Sequence, residues 1–536
     1  MTGMAHRQDR NPGTGLHRRT LIGGGAGAAA LALLPCAARA ATAAARIVAP
    51  SGIFTGEGQA EGVAKPVWGF RGIRYATAER FRAPRPYATP GQPRAAMRFG
   101  PVCPQTGHYQ PQSEDCLYLN VWTSTANARA KLPVMLYIHG GAYANGSVTD
   151  PLNDGAALAG RGDVVVVTVN HRLNAFGYLY LARLDPRFAD SGNAGQLDLI
   201  CALQWVRDNI AAFGGDPARV MLFGQSGGGA KIATLTGMPA AQGLFHRAAT
   251  MSGQQVTAQG PLHAGDRTRA YLDALGVKPG NLQPLLDMPI TKLVEGLRAT
   301  DPILGGGVSF APVLDMKWLV RHPFWPDANP IGLSIPMMLG NVHDETRAFV
   351  SPDTVRDLTW DTLPDRLAPD LRIDVLPEWV VGEYRKQFPD WSPVDVFYAA
   401  STAGRSWRGQ VIEAEERARA GAPAWVYQVD FTSRTDPRRG AFHTMDIPLV
   451  FGTLGAAGSQ TGTAADARAA SAAMQDSFVA FAKTGDPNHA GLAAWPRYDM
   501  RQRATMVFDA TSRVENDPRR WQRELFARIP YIQPGT

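Results

Sequence analysis

Residues 224–228 read Gly-Gln-Ser-Gly-Gly, a serine with glycine two positions before it and two after. That spacing suits a nucleophile held in a tight turn between a strand and a helix, where larger neighbours would collide. Such a turn projects the Ser226 hydroxyl out of the sheet and sets the Gly227 N–H at a helix N-terminus, facing developing negative charge. A serine hydroxyl is a weak nucleophile near neutral pH, so it needs a base within hydrogen-bond reach and a carboxylate to orient that base. Glycine-rich turns between strand and helix are common, so the partners must decide whether Ser226 reacts. A phosphate-binding loop is excluded, because no Gly-Lys-Ser/Thr follows the glycines and Lys231 is misplaced for one.

For a serine on such an elbow the chain order is Ser, acid, His. Six histidines follow Ser226: His246, His263, His322, His343, His443 and His489. LGNVHDET (339–346) supplies two carboxylates, Asp344 and Glu345, directly after a strand-like run. His443 and His489 lie downstream; His443 sits in GAFHTMDIPLVFG between two apolar segments, whereas His489 in GDPNHAG has the composition of a solvated turn. YIHGGAY (137–143) offers Gly140-Gly141-Ala142 after another strand, small residues whose backbone N–H groups can approach a substrate oxygen. His139, in the same stretch, reads as a structural histidine.

The elements that must position these groups are legible as short, nearly continuous apolar runs: residues 132–141, 163–170, 219–226, 334–341 and 422–431. Runs of this kind are strands buried on both faces, which predicts a parallel or mixed central sheet. NAGQLDLICALQWVRDNIAAFGG (193–215) predicts a helix of roughly five turns, with Asn193 as cap and Gly214-Gly215 as stop. Strand, helix and strand together predict a βαβ unit. Residues 260–330 and 350–420 read as Pro-rich insertions, helical in patches, and their tryptophans, from Trp318 to Trp407, read as core side chains that could also wall a pocket.

Residues 1–40 stand apart. LHRRTLIGGGAGAAALALLPCAARAA joins an arginine pair, Arg18-Arg19, to a weakly apolar Gly/Ala stretch and ends in Ala38-Arg39-Ala40, the layout of an export signal of twin-arginine type with cleavage near Ala40. The apolar run is too short to span a membrane, Gly23-x-Gly25-x-x-Ala28 lacks the strand a dinucleotide fingerprint needs, and Pro35 before Cys36 fits a lipoprotein poorly. Residues 41–536 are then one domain in an oxidising compartment, which favours a disulfide between Cys103 and Cys116. Five arginines and one aspartate within residues 1–40 account for +4 of the formal +7, leaving about +3. No basic run with interleaved aromatics remains, so nucleic acid is not an expected partner. No Cys-x-x-Cys or His-x-x-x-His spacing occurs, and no metal or cofactor is expected.

Together these segments resemble the type B carboxylesterase and cholinesterase family of α/β-hydrolases over roughly residues 47–530. SEDCLYLNVW (113–122) resembles the family's second signature, FRGIRYA and RFRAPRP its N-terminal part, ALQWVRDNIAAFGGDP the helix before the elbow, and FAKTGDPNHAGLAAWPRYD its C-terminal part. The resemblance implies an α/β-hydrolase fold, with a large, mostly parallel sheet flanked by helices and helical insertions over an aromatic-lined gorge. It implies Ser226 as nucleophile, Glu345 rather than Asp344 as acid, His443 as base, and the N–H groups of Gly141, Ala142 and Gly227 as oxyanion donors. It also implies the Cys103–Cys116 disulfide and, near GGGVSFAPVLD, Phe310 at the acyl pocket. Departures are Gln225 where Glu is frequent, Gly227 where Ala is frequent, and Thr346 where Gly closes the acid motif. Gln225 removes a negative charge from the pocket, and the Cys103–Cys116 loop lacks the choline-binding tryptophan, so choline esters are not the expected substrates. The expected activity is hydrolysis of a small carboxylic ester by water through an acyl-enzyme. The alternatives are acyl transfer or amide hydrolysis on the same triad, or a nucleophile-deficient binding protein.

Overall fold

The computed structural model describes residues 44–59 and 65–533; the expected export signal lies outside them. The described strands form a thirteen-stranded sheet. In chain order its main path comprises β1 (Ala45–Ala49), β2 (Gly52–Gln59), β3 (Val67–Arg74), β4 (Tyr118–Thr123), β5 (Leu132–Ile138), β6 (Val165–Val169), β7 (Gly215–Gln225), β8 (Arg247–Met251), β9 (Met337–Val342), β10 (Ala424–Val429), β11 (Ala504–Phe508) and β12 (Arg513–Asn516). Across the sheet they run 1-2-3-4-6-5-7-8-9-10-11-12. The block from β6 to β11 is parallel, and the outer strands on both sides are antiparallel. All five apolar runs read from the sequence are strands of this parallel block.

The parallel strands are apolar on both faces because both are covered. On β5, Val134, Leu136 and Ile138 pack into one layer with Leu199 and Leu203, while Met135 and Tyr137 pack into the opposite layer with Met474 and Phe478. Leu199 and Leu203 belong to α1 (Ala194–Asn209), which tightens into a 3-10 turn, Ile210–Phe213, and stops at Gly214 with φ +82°. Asn193 precedes this helix without capping it; its side chain bonds both backbone groups of Val313 instead. The unit expected from β6, α1 and β7 is parallel as predicted, but β5 lies between the two strands, so the helix crosses over a third strand. This is the α/β-hydrolase fold.

The insertions form a separate helical cluster. Leu363, Leu367, Tyr384, Phe397 and Phe526 bury one another there, and Trp391 and Trp521 pack on the rings of Phe388 and Tyr384. Most of the tryptophans in this region are therefore packing residues. No helix among the described residues is long and apolar enough to cross a membrane.

Cys103 and Cys116 correct an expectation. Both are buried free thiols. The Cys103 sulfur accepts the Leu173 N–H at 3.2 Å. A hydrogen bond to Cys103, together with burial, pushes the Cys116 thiol well up, so the Cys116 sulfur is not poised as a thiolate.

Candidate active site

Four loops at the C-terminal ends of parallel strands meet at one point, where this class of sheet places its ligands. The loop after β7 carries Ser226, with φ +55° and ψ −124°, followed at once by α2 (Gly227–Leu235). A Cβ at Gly228 would lie 1.9 Å from the Ile138 carbonyl oxygen, so only glycine lets the new helix pass that close to β5. The Ser226 N–H donates to Met251 O at 2.7 Å, pinning the turn to β8.

The loop after β9 carries Glu345. Glu345 is fully buried and opens a 3-10 turn, Glu345–Ala348. Its Oε1 accepts from the Asn341 amide at 2.8 Å and the Val342 N–H at 3.1 Å, and its Oε2 makes a close hydrogen bond with His443 Nδ1. Burial alone would raise this carboxyl, but the His443 contact and the Asn341 bond outweigh it and hold the pKa below the ordinary carboxylate value. Thr346, the departure noted in the sequence, ties the turn to a neighbouring helix: its hydroxyl lies 2.9 Å from that of Thr402. Asp344 points elsewhere and bonds Ala441, so the ambiguity between adjacent carboxylates resolves in favour of Glu345 as the residue on the histidine.

His443 follows β10 and is buried, its ring 4.9 Å from that of Phe349. With Nδ1 bound to a carboxylate, Nε2 is the acceptor, and the Gln225 amide donates to it at 3.2 Å. Gln225 thus occupies the outward lone pair of His443.

The loop after β5 supplies the small residues. Gly141 and Ala142 have φ +87° and +52°. The loop runs so close to α2 that a Cβ at Gly227 would lie 2.1 Å from the Ala142 oxygen. His139 is buried, stacks on His171 with ring centroids 4.7 Å apart, and is lowered to about 3 by burial and by Lys231; it is neutral and structural.

Sequence reading missed three groups behind the site. Lys231, on α2, is completely buried, donates to Ala142 O at 2.6 Å, lies over the Tyr143 ring, and is lowered by burial to about 7. Glu413 is raised to about 8, mainly by burial, and accepts the Gln255 N–H at 2.7 Å. Asp446, one turn beyond His443, is raised to about 7 by burial and by the charge of Glu345. In the sequence, a buried ammonium or carboxyl reads the same as a solvated one, because only its tertiary surroundings set it apart.

Ser226, Gly227, Ala142 and His443 line one cavity of about 170 Å³. Its wall includes Gln254, Gln255, Arg372, Arg405 and Ser406 beside Phe349 and Tyr531, so it is more polar than the aromatic gorge expected from the resemblance. Phe310 is not among its lining residues; it is buried edge-on against Tyr271. Gln225 lines a second cavity of about 210 Å³ on the other side of the Gly140–Gly141 loop, with Tyr109, Asn145 and Asp150.

The carboxylesterase family model matches residues 43–526. The chain belongs to the carboxylesterase family. Among curated carboxylesterase relatives, the para-nitrobenzyl esterase of Bacillus subtilis is 34% identical over 85% of this chain and 94% of that protein. A fumonisin B1 esterase of Sphingopyxis macrogoltabida is 31% identical over 83% of this chain and 84% of its own. Among solved structures, a Geobacillus stearothermophilus carboxylesterase superposes with TM-score 0.79 at 35% identity, covering 89% of this chain and 99% of that one. This carboxylesterase therefore shares its fold along nearly the full length of its relatives.

Proposed function

We propose that this chain hydrolyses carboxylic esters through a Ser226 acyl-enzyme, with His443 as base, Glu345 as its orienting acid, and the N–H groups of Gly141, Ala142 and Gly227 as the oxyanion hole. The observation that carries the reading is the buried Glu345–His443 hydrogen bond beside Ser226 on its strained turn. His443 Nε2 exchanges the Gln225 amide for the Ser226 proton as the oxygen attacks the ester carbonyl. The oxyanion is held by backbone donors that need no reorganisation. The imidazolium, stabilised by Glu345, returns the proton to the leaving alcohol, and the same histidine then activates water to release the acid. We also propose that residues 1–40 direct export and are removed near Ala40, on the strength of Arg18-Arg19 and Ala38-Arg39-Ala40; the N-terminal residue of the protein recovered outside the cytoplasm tests this.

Hydrolysis of p-nitrophenyl butyrate tests the catalytic reading. Ser226→Ala is expected to lower kcat by at least about a thousandfold with the circular dichroism spectrum unchanged. Turnover near the wild-type rate in that variant contradicts it.

A further inference from the structure

The cavity around Ser226 carries charge of one sign only. Of its lining residues, Arg372 and Arg405 alone bear a full charge. Among the described residues neither has an ion-pair partner: the nearby carboxylate of Asp370 is taken by Arg366 at 2.6 Å. Arg405 lies over the Phe349 ring at 4.1 Å, and that ring lies 4.9 Å from His443. The guanidinium thus stands two van der Waals layers from the proposed base.

Arg405 reaches this place through a departure from regular helix. α3 (Pro393–Thr402) passes into α4 (Arg408–Arg419) through a π-helical turn, Ala403–Trp407. A wide turn inside a helix is costly and is found most often at functional sites; here it sets Arg405 and Ser406 in the cavity wall. Arg372 caps another helix at φ +54° and lines the same cavity as Arg405. Burial, and then the charge of Arg372, bring Arg405 down to about 10, a shift that the charges of Asp370 and Glu345 only partly oppose. The cavity on the far side of the Gly140–Gly141 loop has the opposite character, with Asp150, Tyr109 and Asn145 in its wall.

Resting on the proposed esterase reading, we infer that the substrates are esters bearing a carboxylate a short chain away from the scissile carbonyl, with that carboxylate seated between Arg372 and Arg405. Planar guanidinium groups match a carboxylate in shape and charge. A neutral ester of the same length leaves the half-buried Arg405 and the exposed Arg372 without an anion.

Matched ester pairs decide this. Monoethyl glutarate against ethyl valerate places the anion on the acyl side, and the butyrate ester of 4-hydroxybutanoate against butyl butyrate places it on the alcohol side. Acid release is followed by pH-stat at low and at high salt, and each rate is normalised to hydroxide hydrolysis. The anionic member is expected to have the higher kcat/KM in at least one pair, and which pair shows it assigns the side. Within Arg405→Gln the ratio of anionic to neutral ester is expected to fall by at least about tenfold, and within the exposed Arg372→Gln by less. Because the ratio is taken within one variant, partial loss of folded protein cancels. A neutral preference in both pairs, or an anionic preference kept in both variants, overturns the inference. If neutral esters are hydrolysed without anionic preference, only this inference fails; if no ester is hydrolysed and Ser226→Ala changes nothing, the esterase reading fails with it.

Discussion

Asp344 and Ala441 close a two-bond ring: the Asp344 N–H donates to Ala441 O at 2.9 Å, and Asp344 Oδ2 accepts the Ala441 N–H at 2.9 Å. The ring joins the loop that carries Glu345 to the loop that carries His443, one residue and two residues away respectively. Asp344→Ala is expected to lower stability by about 1–3 kcal/mol, because a buried donor loses its acceptor, and to lower kcat more than it raises KM as the imidazole loses its alignment. Chemical denaturation and steady-state kinetics check both parts. An unchanged kcat means the ring is dispensable for the proposed triad.

Lys231 bears on the proposed oxyanion loop in the same indirect way. Its ammonium holds the Ala142 carbonyl at 2.6 Å, which fixes the Ala142–Tyr143 peptide and, through the shared Ala142 Cα, restrains the preceding peptide that carries the Ala142 N–H. Lys231→Met is expected to cut kcat by about tenfold to a hundredfold with KM little changed, since donors to the oxyanion act in the transition state. The variant folds at least as well as the parent, because a buried ammonium with no carboxylate partner is replaced by an apolar chain of similar length. A rise in KM at constant kcat would assign Lys231 to substrate binding instead.

Glu413 gives stability a pH dependence of definite sign. Its carboxyl, ordinarily near 4.5, is held at about 8. Between those values the folded state keeps a proton that the unfolded chain has lost, so stability falls as pH rises from 4.5 to 8 and changes no further above it. Glu413→Gln keeps an acceptor for the Gln255 N–H and removes the titration. The variant is expected to gain on wild type across that window by a few kcal/mol, read as the gap between their denaturation free energies at each pH. Parallel curves would show that Glu413 is not protonated in the fold.

What was legible in the sequence follows from what is local. The elbow could be read because strand, glycine, serine and helix lie within a dozen residues and the steric demand on each is set by its neighbours. Five of the seven parallel strands could be read because they are buried on both faces and hence largely apolar. Which strands are neighbours could not: β5 lies between β6 and β7, an arrangement no segment encodes by itself. Short of the family resemblance, the choice between Asp344 and Glu345 was partly non-local, since Ala441, about a hundred residues on, holds Asp344 away while Asn341 and Val342 hold Glu345. Phe310 and the tryptophans of the insertions were read as pocket candidates, yet an apolar ring carries the same signal in a core as in a wall. Arg405 left no trace, because a π-helical turn differs from the α-helix around it by one residue and changes no pattern.

The central claim is that Ser226 is activated by an assembled Glu345–His443 pair. The purified protein is treated with a fluorophosphonate, which bonds covalently to activated serines, and mapped by peptide mass spectrometry beside Glu345→Gln and His443→Gln. The account predicts labelling confined to Ser226 in the wild type and strongly slowed labelling in both variants. A folded wild-type protein that takes no label, or one labelled at a serine other than Ser226, contradicts it.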